Sequence, residues 1–249
     1  MIEFKGVWKA FGEESVLRGV DLVVREGETL VLLGPSGTGK SVLLKHAIGL
    51  LTPDRGGVTV DGISIPDASP RYLKRVRKKV GYVFQHAALF DSMTVLQNLA
   101  LAIQDENDMK PQSAARPQAQ ELLERVNLDP GVLDLYPAEL SGGMRKRVGV
   151  ARAIASGPRY VLYDEPTTGL DPVNADIIDG LITELAGELG VTSIVVTHDL
   201  ESAFQVGDRV ALMTEGELRA CGPPQEILES EDPVVRRFMS RRFSPGAAR

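Results

Sequence analysis

The chain has 249 residues, 43% hydrophobic and 25% charged, with a formal net charge of −6. This is ordinary for a soluble globular protein of one large domain or two small ones, and its acidic balance excludes a general electrostatic pull toward nucleic acid or anionic membrane. The single cysteine, Cys221, excludes an internal disulfide, and no run reaches the roughly 18 apolar residues that span a bilayer.

In chain order, Ile2 to Phe11 and Val16 to Val24 alternate in the manner of antiparallel strands, broken by Gly12 to Ser15. Trp8 is expected in the core. Leu30 to Leu33 is a short apolar strand. It feeds Gly34-Pro35-Ser36-Gly37-Thr38-Gly39-Lys40-Ser41, which fits the phosphate-cradling pattern G-x-x-x-x-G-K-[ST] with no mismatch. Val42 to Ile48 reads as the helix behind it. In such a loop, glycine lets backbone N–H groups curl around an anion, and the following helix points its positive end at the phosphates. Lys40 is expected to reach the β- and γ-phosphates and the Ser41 hydroxyl to hold Mg²⁺.

Val58 to Ile65 reads as two strands about an Asp61-Gly62 turn, Pro70 to Lys79 as a basic helix, and Val80 to Phe84 as a buried strand ending at Gln85. The texture then turns helical from Ala87 to Leu140. Val95 to Ile103 carries Leu96, Leu99 and Ile103 at helical spacing. Asp105 to Gln120, with Pro111 and Pro117, reads as a polar loop, and a helix resumes over Gln120 to Val126. Further helices are expected at Arg145 to Ser156, Ile177 to Leu189 and Glu201 to Val206, with strands at Tyr160 to Tyr163 and Ser193 to Val196. Arg209 to Met213 and Glu217 to Ala220 read as a hairpin through Glu215-Gly216. The fold class is α/β: a P-loop core with a mostly parallel sheet, an N-terminal antiparallel β portion and a helical insert.

Two more stretches carry chemistry. The strand Tyr160 to Tyr163 ends in Asp164-Glu165, which places two carboxylates at the ligand edge of the sheet. Asp164 suits the Mg²⁺ shell, and Glu165 suits a water facing the γ-phosphate. Ser141-Gly142-Gly143-Met144 opens the helix after Leu140, with Ser141 as a natural N-cap and glycines that leave N–H groups open. That is a second anion-binding helix start, and one nucleotide cannot easily use both in one subunit.

Leu140 to Ala155 resembles the signature motif of the ATP-binding cassette (ABC) ATPases, and the other motifs match in order. Gln85 sits at the Q-loop position, Thr168-Gly169-Leu170-Asp171 is similar to the D-loop, and His198 to the switch histidine. The resemblance covers about residues 1–228 as one ABC ATPase domain, with a helical subdomain at about 87–156 and a basic extension over 229–249. It implies the ABC ATPase fold, with ATP and Mg²⁺ as ligands. It also implies a head-to-tail dimer with a second copy, in which Ser141, Gly142, Gly143 and Met144 of one chain close on the nucleotide held by the phosphate loop of the other. Glu165, His198 and Gln85 take catalytic roles, Gln85 also joins the Mg²⁺ shell, and Asp171 lies at the nucleotide interface. Phe11 stands at the adenine-stacking position, where a tyrosine is usual, and Val42 stands where many relatives have threonine. His46 and His86 read as structural or exposed.

A transporter energy subunit and a soluble ABC ATPase of the repair or translation type remain the two classes. One cassette, no heptad run and one cysteine favour the transporter, with no nucleic-acid partner. The segment Ala87 to Val95 is where such ATPases grip a multi-span permease. Its texture, together with Met144 in the signature and Asp232 to Phe238, resembles the Mla/MCE-type lipid transport ATPases. That branch implies phospholipid movement between bacterial envelope membranes, with an MCE-domain protein, from the cytoplasmic face of the inner membrane. An importer ATPase for amino acids or other small solutes is the alternative. The basic stretch Arg71 to Lys79 reads as a solvated helix face. The arginines of Arg236 to Arg249 read as a frayed terminus, with packing on a neighbouring subunit or the membrane surface as the alternative.

Overall fold

The structure, a computed structural model, describes residues 1–103 and 112–243. Strands of two kinds separate in space. Those that alternate in burial, β1 (Ile2–Phe11), β2 (Glu14–Val24), β4 (Arg55–Val60) and β5 (Ile63–Ser64), form an antiparallel sheet in the order β2-β1-β4-β5. The short apolar runs β3 (Thr29–Leu33), β7 (Tyr160–Asp164) and β8 (Thr192–Thr197) are buried at every residue. With β6 (Val80–Val83), β9 (Arg209–Thr214) and β10 (Glu217–Gly222) they form a six-stranded sheet in the order β10-β9-β3-β8-β7-β6, parallel except for the β9–β10 hairpin. A strand buried on both faces needs layers on both sides, which is why these runs are continuously apolar.

The pleat sorts those side chains. Leu30, Leu32, Leu162, Ile194 and Val196 join the antiparallel sheet and α1 (Lys40–Ala47) in one core. Val31, Leu33, Val161, Tyr163 and Val195 join the helices on the opposite face: α3 (Val95–Ile103), α4 (Arg116–Arg125), α5 (Gly142–Ile154), α6 (Pro172–Leu189) and α7 (Leu200–Val206). Both hairpin turns follow their sequence chemistry. Asp61 and Gly62, and Glu215 and Gly216, have φ values of 51°, 74°, 52° and 80°, the pair of positive φ that a two-residue hairpin turn requires.

Several expectations change. Trp8 is 41% exposed, because its face of β1 lies against the glycine at position 19 rather than under a layer. Helix α4 begins at Arg116 rather than Gln120, with Pro117 in its first turn, where no N–H is needed. Gln112–Ala115 form a short 3-10 turn ahead of it, and the earlier part of that predicted loop, through Pro111, lies outside the described residues. Helix α6 begins at Pro172, five residues before the expected Ile177, because Asp171 caps it through Asn174. Helix α5 begins at Gly142 and stops at Ile154. The basic helix α2 (Pro70–Arg77) buries Val76 in the core and packs Leu73 against it. The terminus is not frayed before Phe243: after α8 (Pro224–Leu228), helix α9 (Pro233–Phe243) buries Val235 and Met239 in the larger core. Arg249 lies outside the described residues.

One buried charge has a pH consequence. Asp179 on α6 is 3% exposed and accepts a hydrogen bond from the Ser202 hydroxyl on α7 at 2.8 Å. Burial raises its pKa to about 6, with Asp199 and Asp176 adding to the rise. An unfolded aspartate titrates near 4, so the folded state binds the proton more tightly. Stability present below about pH 4 is therefore lost as pH rises toward 6. Asp179→Asn should gain about 1–3 kcal/mol over the parent at pH 7 and nothing at pH 4. Denaturant unfolding at the two pH values measures this, and an equal effect at both would rule it out.

Candidate functional site

The carboxyl ends of β3, β8 and β7 are neighbours in the sheet, and each delivers polar groups there: the phosphate loop, His198, and Asp164-Glu165. Gln85, just past β6, comes to the same edge. Ser36, Gly37, Gly39, Lys40, Ser41, Gln85, Glu165 and His198 line one cleft of about 310 Å³, together with Val16, Val42 and Thr168. Position in an open parallel sheet accounts for the convergence.

The loop is held tightly. Gly34 has φ 151°, and a Cβ there would lie 2.0 Å from the Met213 carbonyl oxygen on β9. Gly37 and Gly39 have φ values of 82° and 94°. The Lys40 ammonium is 4% exposed and donates to the carbonyls of Gly34 and Pro35, each at 2.8 Å. Burial lowers its pKa, and the carboxylates of Glu165 and Asp164 oppose that shift. Its Nζ lies 3.8 Å from Glu165 Oε1.

Ser41 Oγ donates to Asp164 Oδ1 at 2.5 Å, and the Tyr82 hydroxyl donates to Asp164 Oδ2 at 3.0 Å. Burial and the Asp164 carboxylate push the Tyr82 phenol well above its ordinary pKa, so it stays a donor. A hydroxyl beside a carboxylate is a hard oxygen pair that suits Mg²⁺, an ion that keeps several waters and takes further ligands from phosphate. Among the described residues no group of three or more His, Cys, Asp or Glu could hold a metal. The donor set thus fits a shared protein–phosphate site and not an all-protein cage.

Glu165 is fixed from three sides. Its Oε2 accepts from Thr168 Oγ1 at 2.9 Å and lies 2.7 Å from His198 Nδ1, and its backbone N–H donates to Val196 at 2.9 Å. Against an ionised carboxylate the imidazole proton sits on Nδ1. Glu165 also has φ 50°, a conformation that non-glycine residues seldom adopt. A carboxylate anchored beside a cationic lysine at the mouth of a phosphate loop can accept a proton from water there.

The other predicted residues fall elsewhere. Ser141 caps α5 by accepting from the Met144 N–H at 3.2 Å, and none of Ser141, Gly142, Gly143 and Met144 lines the cleft. Asp171 caps α6 and bonds the Asn174 amide at 2.6 Å, which holds its carboxyl below the usual range. Phe11 is 48% exposed at the end of β1, with Lys9 Nζ 5.7 Å from its ring centroid, and it does not line the cleft. Pro35 and Thr38 border a separate groove of about 370 Å³ with Val234, Arg237 and Phe238 of α9. His46 is buried and His86 exposed.

Sequence reasoning missed four contributors. Tyr82 carries only the signal of a polar tip near the end of a buried strand. Lys146, buried on α5, donates to the Gln85 carbonyl at 2.5 Å and lies 3.4 Å from the Glu165 carbonyl. Asn98, fully buried on α3, accepts from the Phe90 N–H and donates to the carbonyls of Phe90, Met93 and Thr94, which fixes most of the Ala87 to Val95 segment. Arg152 on α5 donates to the carbonyls of Ala87 and Ala88, both at 2.8 Å. Asn98 was legible as the polar residue on an otherwise apolar helix face. The two cations had no sequence signal.

Comparisons with known proteins give the family. The profile of the family described as ABC transporter matches residues 17–168, well over half of the chain. The chain is 42% identical to the probable ribonucleotide transport ATP-binding protein mkl of Mycobacterium leprae, over 98% of this chain and 70% of that protein. It is 37% identical to the glutamine transport ATP-binding protein GlnQ of Geobacillus stearothermophilus, over 97% and 98% of the two chains. Among solved structures, the cassette MJ0796, a dimer in a post-hydrolysis state bound to ADP and Pi, superposes with a TM-score of 0.82 at 35% identity, over 90% of this chain and 99% of that one. CbiO1 of Clostridium perfringens, part of the transporter complex cbiONQ, gives 0.81 at 30% identity over 96% and 94%.

The loop glycines make separable demands. Gly34→Ala combines positive φ with a clash against backbone and should cost about 3 kcal/mol or more, lowering Tm by roughly 6 °C or more. Gly37 has open space around its Cβ position, so Gly37→Ala should cost only the left-handed backbone strain of about 1–2 kcal/mol. Thermal unfolding of both variants checks the order. Equal losses would refute the steric reading of Gly34.

Proposed function

The chain belongs to the ABC transporter ATP-binding family and is an ATPase, and from that premise we propose that it energises phospholipid transport between bacterial envelope membranes through a separate permease. The N–H groups of the phosphate loop and of the head of α1, with Lys40, bind and orient the β- and γ-phosphates of ATP. Ser41 and Asp164 would hold Mg²⁺, with Gln85 joining them on the Q-loop side, and the ion would neutralise charge on the phosphate oxygens. Glu165 accepts the proton of the attacking water. His198 and Thr168 hold that carboxylate in place, and His198 senses the γ-phosphate. The observation that carries this reading is the Glu165 carboxylate, anchored by His198 at 2.7 Å and facing Lys40 at 3.8 Å across the cleft.

The working unit is a head-to-tail dimer. Ser141 to Met144 present a capped helix start that their own cleft does not use, and a helix start of this kind binds phosphate. Supplied by a second copy, it closes over the γ-phosphate, with Asp171 beside it and Phe11 against the adenine. The dimeric state of MJ0796 supports this arrangement.

The phospholipid assignment rests on the texture of Ala87 to Val95 and on Met144 in the signature; the relative mkl is described as a ribonucleotide transport protein. The segment Ala87 to Val95 is the permease contact, and an MCE-domain protein joins through the permease at the cytoplasmic face of the inner membrane. No helix among the described residues is long and apolar enough to cross a membrane. A small-solute importer is the second reading, supported by GlnQ at 37% identity. Reconstitution with its permease separates the two: ATP-dependent transfer of labelled phospholipid between vesicles is expected, and uptake of an amino acid instead would decide for the importer.

Glu165→Gln should bind ATP as the parent does and hydrolyse it about 100-fold more slowly or worse. It should also accumulate as a dimer with ATP, visible by size exclusion. Near-parental turnover would remove Glu165 from its role. Lys40→Ala should weaken binding of a fluorescent ATP analogue about tenfold or more, because the phosphate charge loses its charge-assisted partner. Parental affinity would show that Lys40 does not meet the phosphates.

A further inference from the structure

Helix α5 does more than present the signature residues. Positions 146, 149 and 152, at spacing three, lie along one side of it, and that side is pressed against the chain just after β6. Lys146 donates to the Gln85 carbonyl. A Cβ at Gly149 would come within 3.1 Å of the Ala87 Cβ, so the two backbones touch there. Arg152 grips the carbonyls of Ala87 and Ala88. These two alanines have φ values of 59° and 49°, a strained pair held only by what surrounds it. Lys146 alone also reaches the other wall of the cleft, with Nζ 3.4 Å from the Glu165 carbonyl.

We infer that Lys146 is a positioning residue that links the signature end of α5 to Gln85 and Glu165 of the same chain, and so couples the two nucleotide sites of the dimer. The inference rests on the head-to-tail reading given above. In that dimer Ser141 to Met144 serve one nucleotide, while Gln85 and Glu165 of the same chain serve the other. Lys146 stands one helical turn behind the first signature glycine, Gly142. A rigid helix transmits a shift of its head to Lys146, and the ammonium transmits it to the two carbonyls it binds. The group is 7% exposed, and an ammonium so placed costs free energy unless its donors are satisfied. Burial lowers its pKa, and the nearby Glu165 carboxylate opposes the shift. Because both contacts are to backbone carbonyls, the role requires a donor at this position more than it requires the charge.

The test compares Lys146→Met and Lys146→Gln with the parent in the full chain, using steady-state hydrolysis across ATP concentrations, ATP-analogue binding and thermal unfolding. Lys146→Met should keep the analogue affinity within about twofold and lower kcat about tenfold, the loss expected for charge-assisted hydrogen bonds. The Hill coefficient for ATP should fall from near 2 toward about 1, the value of uncoupled sites. Lys146→Gln, which retains N–H donors, should recover most of both. A merely structural role would lower Tm in proportion to activity and leave the Hill coefficient where it was. That outcome overturns the inference, as does a parent without cooperativity or a Met variant with parental kcat. Failure here with Glu165→Gln still inactive leaves the proposed ATPase site standing, whereas an active Glu165→Gln removes that reading first.

Discussion

The burial of β3, β7 and β8 on both faces is the constraint on which the rest depends. The side chains along these strands are enclosed, so a polar ligand can be met only at their carboxyl ends, where Asp164 closes β7. Chemistry is confined to where the strands end. Because the three are adjacent and parallel, their ends fall together. The phosphate loop lies more than 100 residues before Glu165 and His198, yet all three share one cleft, and Asp164 reaches it through its hydrogen bond from Ser41. Catalytic precision is inherited from the sheet and not from the loops themselves.

The second consequence is a division of labour between the two layers. The antiparallel sheet and α1 pack on one face, and the helices α3 to α7 on the other. The first layer backs the phosphate loop, where Leu17 and Val16 approach Gly39 so closely that a side chain would collide. The second layer carries α5 and the segment after β6, bound together by Lys146 and Arg152. The anion cradle and the segment after β6 are therefore backed by different cores on the two faces of the sheet.

Much of this was legible before any coordinates. Strands and helices with a clear period appeared where expected: α3 runs from Val95 to Ile103 as read, and both hairpins turn at their Asp-Gly and Glu-Gly pairs. The motifs at the sheet edge converge because motif spacing and strand direction together fix their place. The sequence was silent where contacts depend on tertiary geometry. Trp8 looks like a core residue by type, yet its strand face has no covering layer. Pro117 looks like a breaker, yet sits in the first turn, where it is harmless. Lys146 and Arg152 look like solvated charges within a basic run. Only the approach of α5 to the chain after β6 shows that their partners are backbone carbonyls, which no residue code records.

The backbone at Glu165 carries a further implication. Its left-handed φ of 50° would suit glycine or asparagine better than glutamate. Replacement by either would relax the chain while deleting the carboxylate. Selection for a sturdier protein and selection for turnover thus pull in opposite directions at this one residue. A cassette released from the need to hydrolyse would have a downhill path to an inert site that still binds its nucleotide.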